Sequence, residues 1–505
     1  MTLSPSFLKY LGGTIILVTL IFFSIRYFST RRLENWTTMV SGVASSASSP
    51  RVADLNHDGV KDIVIGSGGR EYDDTENGVL AINGKTGQIL WKMAARNQVV
   101  GSAVFQDINN DEIPDVFIGG RSAIFYALDG KNGTLLWEYL PDTGSIDFIN
   151  DTSILNFHTP QFIPDLDSDG HQDLLTAYGG FVKARPGDTL RPSGYLMILS
   201  AATGKVISQA SMPDRRETYL SPLVFDFENS GTLEVIFGTG GEDIDGRLYR
   251  ARLSDLMEND LSKAVRLAEG NGKGFIAPPL LIDVNRDHYH DIVVNSVDGR
   301  LICVDGRDNR TLWESSLVTS FDTYTVPAPG YFVGDDSIPD FFSSFGKGPW
   351  PNTAYTVHTM TNGLTGQIVY RDTLGTFQYA SPIVYDIDHD QEPDVLVVIN
   401  TQLSDTINGR EVTWEGNNLM VYPQGSRPPF QLGSTLLGSN LGATPLITDL
   451  DGNGRYELIR TSVTNQSNLY ALGNLLIELK QLAGSQENIY WNGYMGLYGN
   501  SLVAE

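Results

Sequence analysis

Short apolar runs alternate with acidic or glycine-rich turns along nearly the whole chain, and one arrangement recurs. It reads apolar residues, then D-x-[DN]-x-D-x-x-x-[DE], then a second apolar run rich in β-branched residues. Copies begin at Pro50, Ala103, Gln161, Pro222, Pro279, Ala328, Pro382 and Pro445; the copy at Pro222 is weaker and the one at Ala328 degraded. The first acids, Asp54, Asp107, Asp165, Asp226, Asp283, Asp386 and Asp449, lie about fifty to sixty residues apart, and the interval across the degraded copy is two periods long. About thirty residues after each acidic loop comes a second motif, a strand, a Gly/Asn/Asp turn and another strand. It reads VLAINGKTGQILW from Val79, IFYALDGKNGTLLW from Ile124 and LICVDGRDNRTLW from Leu301, with weaker forms from Leu196 and Thr359. The turn chemistry is that of a hairpin. Each repeat therefore holds four short strands, and runs such as DIVIG and DVLVVI are apolar at consecutive positions, as strands covered on both faces are. Outside the N-terminal run, only residues 253–267 have the pattern of a short helix. Four strands repeated eight times predict an all-β, eight-bladed β-propeller. Seven blades are the alternative, because the sixth repeat is degraded.

The start of the chain predicts how the ring closes. Trp36 stands before the first acidic loop as Trp91, Trp137 and Trp313 stand before later repeats, so residues 33–42 are expected to form an outer strand of the last blade. Residues 1–32 differ in kind. An uncharged apolar run over residues 10–25 is flanked by Lys9 and Arg26, and no small-residue cleavage site follows it closely. That pattern fits an uncleaved signal-anchor helix better than a cleaved signal peptide. The resulting organisation is a tail and transmembrane anchor over 1–32 and a propeller over 33–505.

Charge and cysteine content remove several function classes. With 60 acidic and 35 basic side chains the net charge is −25, which argues against binding nucleic acid phosphates. The single cysteine, Cys303, excludes an intrachain disulfide, a cysteine zinc cluster and a paired redox centre.

The acidic loops offer oxygen ligands at alternate positions, as a tight loop around a hard cation requires. Six look complete, with the position-7 backbone carbonyl included: Asp54, Asn56, Asp58, Val60 and Asp62; Asp107, Asn109, Asp111, Ile113 and Asp115; Asp165, Asp167, Asp169, His171 and Asp173; Asp283, Asn285, Asp287, Tyr289 and Asp291; Asp386, Asp388, Asp390, Glu392 and Asp394; Asp449, Asp451, Asn453, Arg455 and Glu457. The fourth loop, Asp226, Glu228, Ser230 and Glu234, is weaker, and the sixth keeps only Asp336 and Asp340. Carboxylates at this density repel unless cations neutralise them. About six structural Ca2+ ions are therefore expected, and such loops suit an extracytoplasmic compartment rich in calcium.

At these residues the chain resembles the FG-GAP/VCBS repeats of integrin α-chain propellers, over about residues 36–500. The second motif is similar to the tryptophan-docking hairpin of pyrroloquinoline-quinone-type propellers, at Ala81, Asn83, Gly87 and Trp91 and again at Ala127, Asp129, Gly133 and Trp137. The resemblance implies a calcium-stabilised propeller used for binding, with the tryptophans packed between blades.

The function this predicts is a membrane-anchored, extracytoplasmic scaffold, subunit of a membrane complex or adhesion module. It would engage a protein partner or a surface glycan through its loops. Two unpatterned insertions are the candidate contact segments: residues 180–194, with Lys183, Arg185 and Arg191, and residues 346–355, with Lys347, Trp350 and Tyr355. The alternatives are a polysaccharide lyase, for which only His158 and His358 lie clear of the acidic loops, and a quinoprotein dehydrogenase, which the lone Cys303 disfavours. No catalytic or organic-cofactor residue stands out.

Overall fold

A computed structural model describes residues 33–70, 73–141, 154–181, 184–185, 187–317, 321–333, 337–348, 353–424, 427–464, 471–483, 489–496 and 499–503. The N-terminal apolar run therefore lies outside the described residues, and among those described no helix is long and apolar enough to cross a membrane.

Eight antiparallel sheets follow one another along the chain, and apart from the chain's first strand and its tail strand each is built in sequence order from its innermost strand outward. The first blade shows the plan. Arg51–Ala53 is the inner strand, the acidic loop leads to Asp62–Gly66, and the hairpin strands Thr75–Ile82 and Ile89–Ala95 lie outside. The second strand, DIVIG, is buried at every position because neighbouring blades cover both faces. The degraded repeat also makes a full blade, from Ala328–Gly330 to Ile368–Thr373, so the ring has eight blades, not seven. Helix is confined to Leu253–Met257 among the described residues, shorter than the 253–267 pattern suggested, since Val265–Glu269 is a strand.

The ring closes as the sequence pattern predicts. Trp36–Val43 pairs antiparallel with Gly473–Gln481, and so supplies the fourth strand of blade eight. A shared apolar cluster of Val40, Ile63, Leu80, Ile459 and Ile477 then joins blade eight to blade one. Outer-strand tryptophans fasten successive blades. Trp36 donates its indole N–H to the Gly84 carbonyl (2.9 Å), Trp91 to Gly130 (2.7 Å), Trp137 to Ala201 (2.7 Å) and Trp313 to Gly363 (2.7 Å). Blades four and five use a different fastener: Arg250 donates to the Gly306 carbonyl (2.5 Å).

Residues 489–496 and 499–503 run inside the ring. Ile489–Trp491 pairs with the inner strand Ile383–Tyr385 of blade seven, and Trp491 is fully buried. The tail continues across the axis. Asn492 exchanges bonds with Ile447 of blade eight (2.8 and 2.9 Å), and Arg51 of blade one donates to the Tyr494 carbonyl (2.8 Å). Gln161 of blade three donates to the Gly499 carbonyl (2.8 Å), and Leu281 of blade five bonds Ser501 and Val503 (2.9 and 3.2 Å). These partners all come from inner strands, so the tail plugs the central channel.

Candidate functional site

The acidic loops join the first strand of each blade to the second. Their first acid wraps backbone rather than solvent: Asp54 accepts from the N–H of Asp58 (3.3 Å) and Gly59 (3.0 Å), and Asp107 from Asn110 (2.7 Å) and Glu112 (2.9 Å). Asp165, Asp226, Asp283, Asp386 and Asp449 repeat the arrangement. The third-position side chain caps an N–H two residues on, as Asn56 does for Asp58 (2.9 Å) and Asn109 for Asp111 (3.0 Å). These are Asx-turns, in which the first and third side chains hold the loop's own N–H groups.

The ninth-position acid divides the blades. In blades one, two, five and six its two oxygens are both used. One accepts from the loop backbone; the other accepts from the glycine of the second motif, as Asp62 does from Gly84 (3.0 Å), Asp115 from Gly130 (3.1 Å), Asp291 from Gly306 (3.0 Å) and Asp340 from Gly363 (3.0 Å). The fit demands glycine, because a Cβ there would collide with the carbonyl of Lys61, Pro114, His290 or Pro339. Blade six keeps this bracket although its acidic signature is degraded, so the ninth acid has a structural task of its own. In blades four and eight leucine replaces the glycine, and its N–H bonds a strand carbonyl instead: Leu253 to Leu233 and Leu482 to Tyr456, both at 2.9 Å. The ninth acid is then the longer glutamate with another partner: Glu234 pairs with Arg250, and Glu457 accepts from Gln481 (3.1 Å).

Blades three and seven fit neither class. The aspartate is kept, but Ala201 or Gln424 takes the glycine position by strand register. Asp173 and Asp394 are fully buried, each accepts one loop N–H through Oδ2 (Leu166, 2.7 Å; Ile387, 2.9 Å), and each leaves Oδ1 without a hydrogen-bond partner. In these two loops, as in blade eight with Asp451, the third position is aspartate instead of asparagine. Asp165, Asp167 and Asp173 bring ligand oxygens within 4.8 Å of one another, and so do Asp386, Asp388 and Asp394; these are the two such clusters among the described residues. Burial pushes the carboxyls of Asp173 and Asp394 up to about 6, with the neighbouring aspartates adding to the shift.

A concave site lies on the opposite face, where the connections into the first strands and the loops between second and third strands converge. It is an axial cup of about 570 Å³ whose wall includes Arg121, His158, Arg191, Glu217, Tyr219 and Tyr494. Tyr494 belongs to the tail, so the plug is the cup's floor. Arg191 pairs with buried Glu217 (3.4 Å), which also accepts from the Tyr219 hydroxyl (3.1 Å). His158 is half-buried, its Nε2 is inaccessible and has no partner, and desolvation lowers its pKa to about 4. His358 lies inside blade six between Ser344 (2.9 Å) and the Leu374 carbonyl (3.0 Å), well away from the cup. Cys303 is buried in the blade-five core.

Both insertions singled out by sequence rise on the cup face, each between the second and third strands of its blade. Arg185 and Arg191 line the cup, Leu190 is 92% exposed and Tyr355 38% exposed. Lys183 and Trp350 lie outside the described residues. A third projection was missed. In blade seven, Asp394–Ile407 and Arg410–Tyr422 form a hairpin that runs far beyond the neighbouring strands. Its turn is Asn408-Gly409, both at positive φ, and this Asn-Gly pair was a readable signal.

Comparison with known proteins bears on this geometry. A PQQ_2 family model, described as outer membrane protein assembly factor BamB, matches residues 51–233. No curated protein matches the chain. Among solved structures, BamB from Moraxella catarrhalis is 14% identical, covering 90% of this chain and 100% of its own, at a TM-score of 0.43. A europium-containing methanol dehydrogenase is 10% identical, covering 89% and 93%, at 0.54. The quinohemoprotein alcohol dehydrogenase from Comamonas testosteroni is 12% identical, covering 91% and 78%, at 0.50. At such identities the dehydrogenases share the fold alone. The resemblance to FG-GAP/VCBS repeats is overturned: the family model that matches, over residues 51–233, is the one described for BamB. The structure explains the misleading motif, because much of the acidic signature is Asx-turn and glycine bracket that a four-stranded blade uses for itself.

Proposed function

We propose that this propeller is a protein-binding subunit of a membrane-associated assembly, held by its N-terminal segment on the extracytoplasmic side. The observation that carries the reading is that three projections, from blades three, six and seven, all rise around one cup whose channel is plugged by the chain's own tail. Such a face is broad, concave and closed, which suits docking a polypeptide. The blade-seven hairpin adds a mostly exposed edge of backbone, a ready template for strand addition. The match to the BamB family over residues 51–233 supports the same reading.

The cup gives little to the enzymatic alternatives. A lyase needs a base tuned toward neutrality. Tyr219 is shifted upward by burial and by Glu217, while desolvation holds His158 down at about 4. The one cysteine lies in a blade core, so no dithiol reaches the cup.

The test is purification of the full chain from its native membrane in mild detergent, beside a variant with residues 402–413 deleted. A stoichiometric partner that is lost from the deletion variant is the expected result. Retention of every co-purifying protein by the deletion variant would refute the role given to the hairpin.

A further inference from the structure

We propose that blades three and seven each bind one hard divalent cation of the calcium class, and that the remaining acidic loops bind none. The site in blade three is formed by Asp165, Asp167 and Asp173, and that in blade seven by Asp386, Asp388 and Asp394.

Two independent observations meet at the same pair of blades. The first is convergence: three carboxylate oxygens lie within 4.8 Å of one another there, and in no other loop among the described residues. The second is the orphaned Oδ1 of Asp173 and of Asp394, on side chains with no solvent exposure. A buried carboxylate oxygen without a partner is costly, and native proteins supply one. Elsewhere the supply is visible. The glycine N–H serves four blades, Arg250 serves Glu234, and Gln481 serves Glu457. In blade three Ala201 takes the glycine position, and in blade seven Pro423 and Gln424 replace the Asn-Gly or Asp-Gly pair, Pro423 having no N–H to give. A cation bound by the three carboxylates would satisfy the orphaned oxygen from the loop side.

The third position separates these two loops from those of blades one and two. Asn56 and Asn109 direct an amide N–H at the ninth-position aspartate (3.4 and 3.2 Å), a donor where a ligand would have to be. Asp167 and Asp388 put an acceptor there instead. Oxygen donors alone, with no histidine nitrogen or thiolate among the clustered ligands, select calcium-like over zinc-like ions.

The two sites differ. In blade seven Arg427 already forks onto Asp388 and Asp390, the latter at 2.7 Å. It must yield to an incoming ion, so blade seven is the weaker site. Blade three has no such arginine, and Asp169 there accepts only from Ser200 (3.2 Å) and the His171 N–H (2.9 Å).

The experiment is isothermal titration of the full chain, stripped by chelator dialysis, with CaCl2. Two equivalents of unequal affinity are expected. Asp167→Asn and Asp388→Asn should each remove one, since asparagine at that position reproduces the loops of blades one and two and leaves the fold intact. Asp111→Asn in blade two should leave both. Arg427→Ala should tighten the weaker site by at least about threefold. Zero equivalents, more than two, or two retained in Asp167→Asn would each overturn the proposal.

Discussion

The indole N–H of Trp36 donates to the carbonyl of Gly84 across 2.9 Å, and the ring lies so close to Gly87 that a Cβ there would sit 2.7 Å away. This contact joins residues at opposite ends of the ring's construction, since Trp36 completes blade eight and Gly84 belongs to blade one. Replacing Trp36 by Ala should cost about 3 kcal/mol, from lost burial and an opened seam. Trp36→Phe, which keeps a ring but not the donor, should cost about 1 kcal/mol. Denaturant unfolding of the two variants checks this; equal, negligible losses would mean that the seam does not hold the ring.

The glycine bracket makes a second, sharper prediction. Gly130 has no unusual backbone requirement, yet an added Cβ would strike the Pro114 carbonyl. Gly130→Ala should therefore destabilise by about 2–3 kcal/mol through overpacking and loss of the bond to Asp115. Gly59→Ala meets no atom within 4 Å and carries only the strain of φ +79°, about 1 kcal/mol. Thermal melts should rank the two in that order, and the reverse order would contradict the bracket.

The tail contributes stability that no blade supplies. Truncation after residue 488 removes buried Trp491 and Met495 and leaves Arg51 and Gln161 without the Tyr494 and Gly499 carbonyls. The truncated chain should melt several degrees lower and bind a hydrophobic dye at the opened channel. An unchanged melt with no dye binding would show that the plug is dispensable.

Acid should destabilise the fold through two desolvated histidines. Burial lowers His158 and His358 to about 4, below the ordinary value of 6.5. Each is held neutral in the folded state, and the unfolded chain takes up the proton first as pH falls. The stability that depends on neutral imidazole is complete above about 6.5 and is lost as pH falls toward 4, on the order of 3 kcal/mol for each. His358→Gln should flatten that part of the profile in a urea titration between pH 7 and 4; an unaltered slope would place the effect elsewhere.

The ring was legible in the sequence because each blade repeats local signals: an apolar run, an Asx-turn, a glycine hairpin and a tryptophan. Even closure was readable, since Trp36 stands in register with Trp91 and Trp137. The tail was not, because residues 489–503 match inner strands in five blades through bonds to backbone, which leave no periodic trace. The cup was half legible. The two insertions stood out as breaks in the pattern, while the hairpin around Asn408-Gly409 drew no expectation despite its turn pair. The acidic loops looked alike over nine residues; what separates Asp173 from Asp115 is the residue at the hairpin turn, Ala201 against Gly130, far along the chain.

The central claim is that the cup face, and not the acidic-loop face, meets a protein partner. Site-specific photo-crosslinking in the native membrane tests it, with the probe placed at Glu411 on the hairpin or at Lys131 on a turn of the opposite face, both exposed. A discrete crosslinked product is expected from Glu411 and none from Lys131. Products from Lys131 alone, or from neither position, would contradict it.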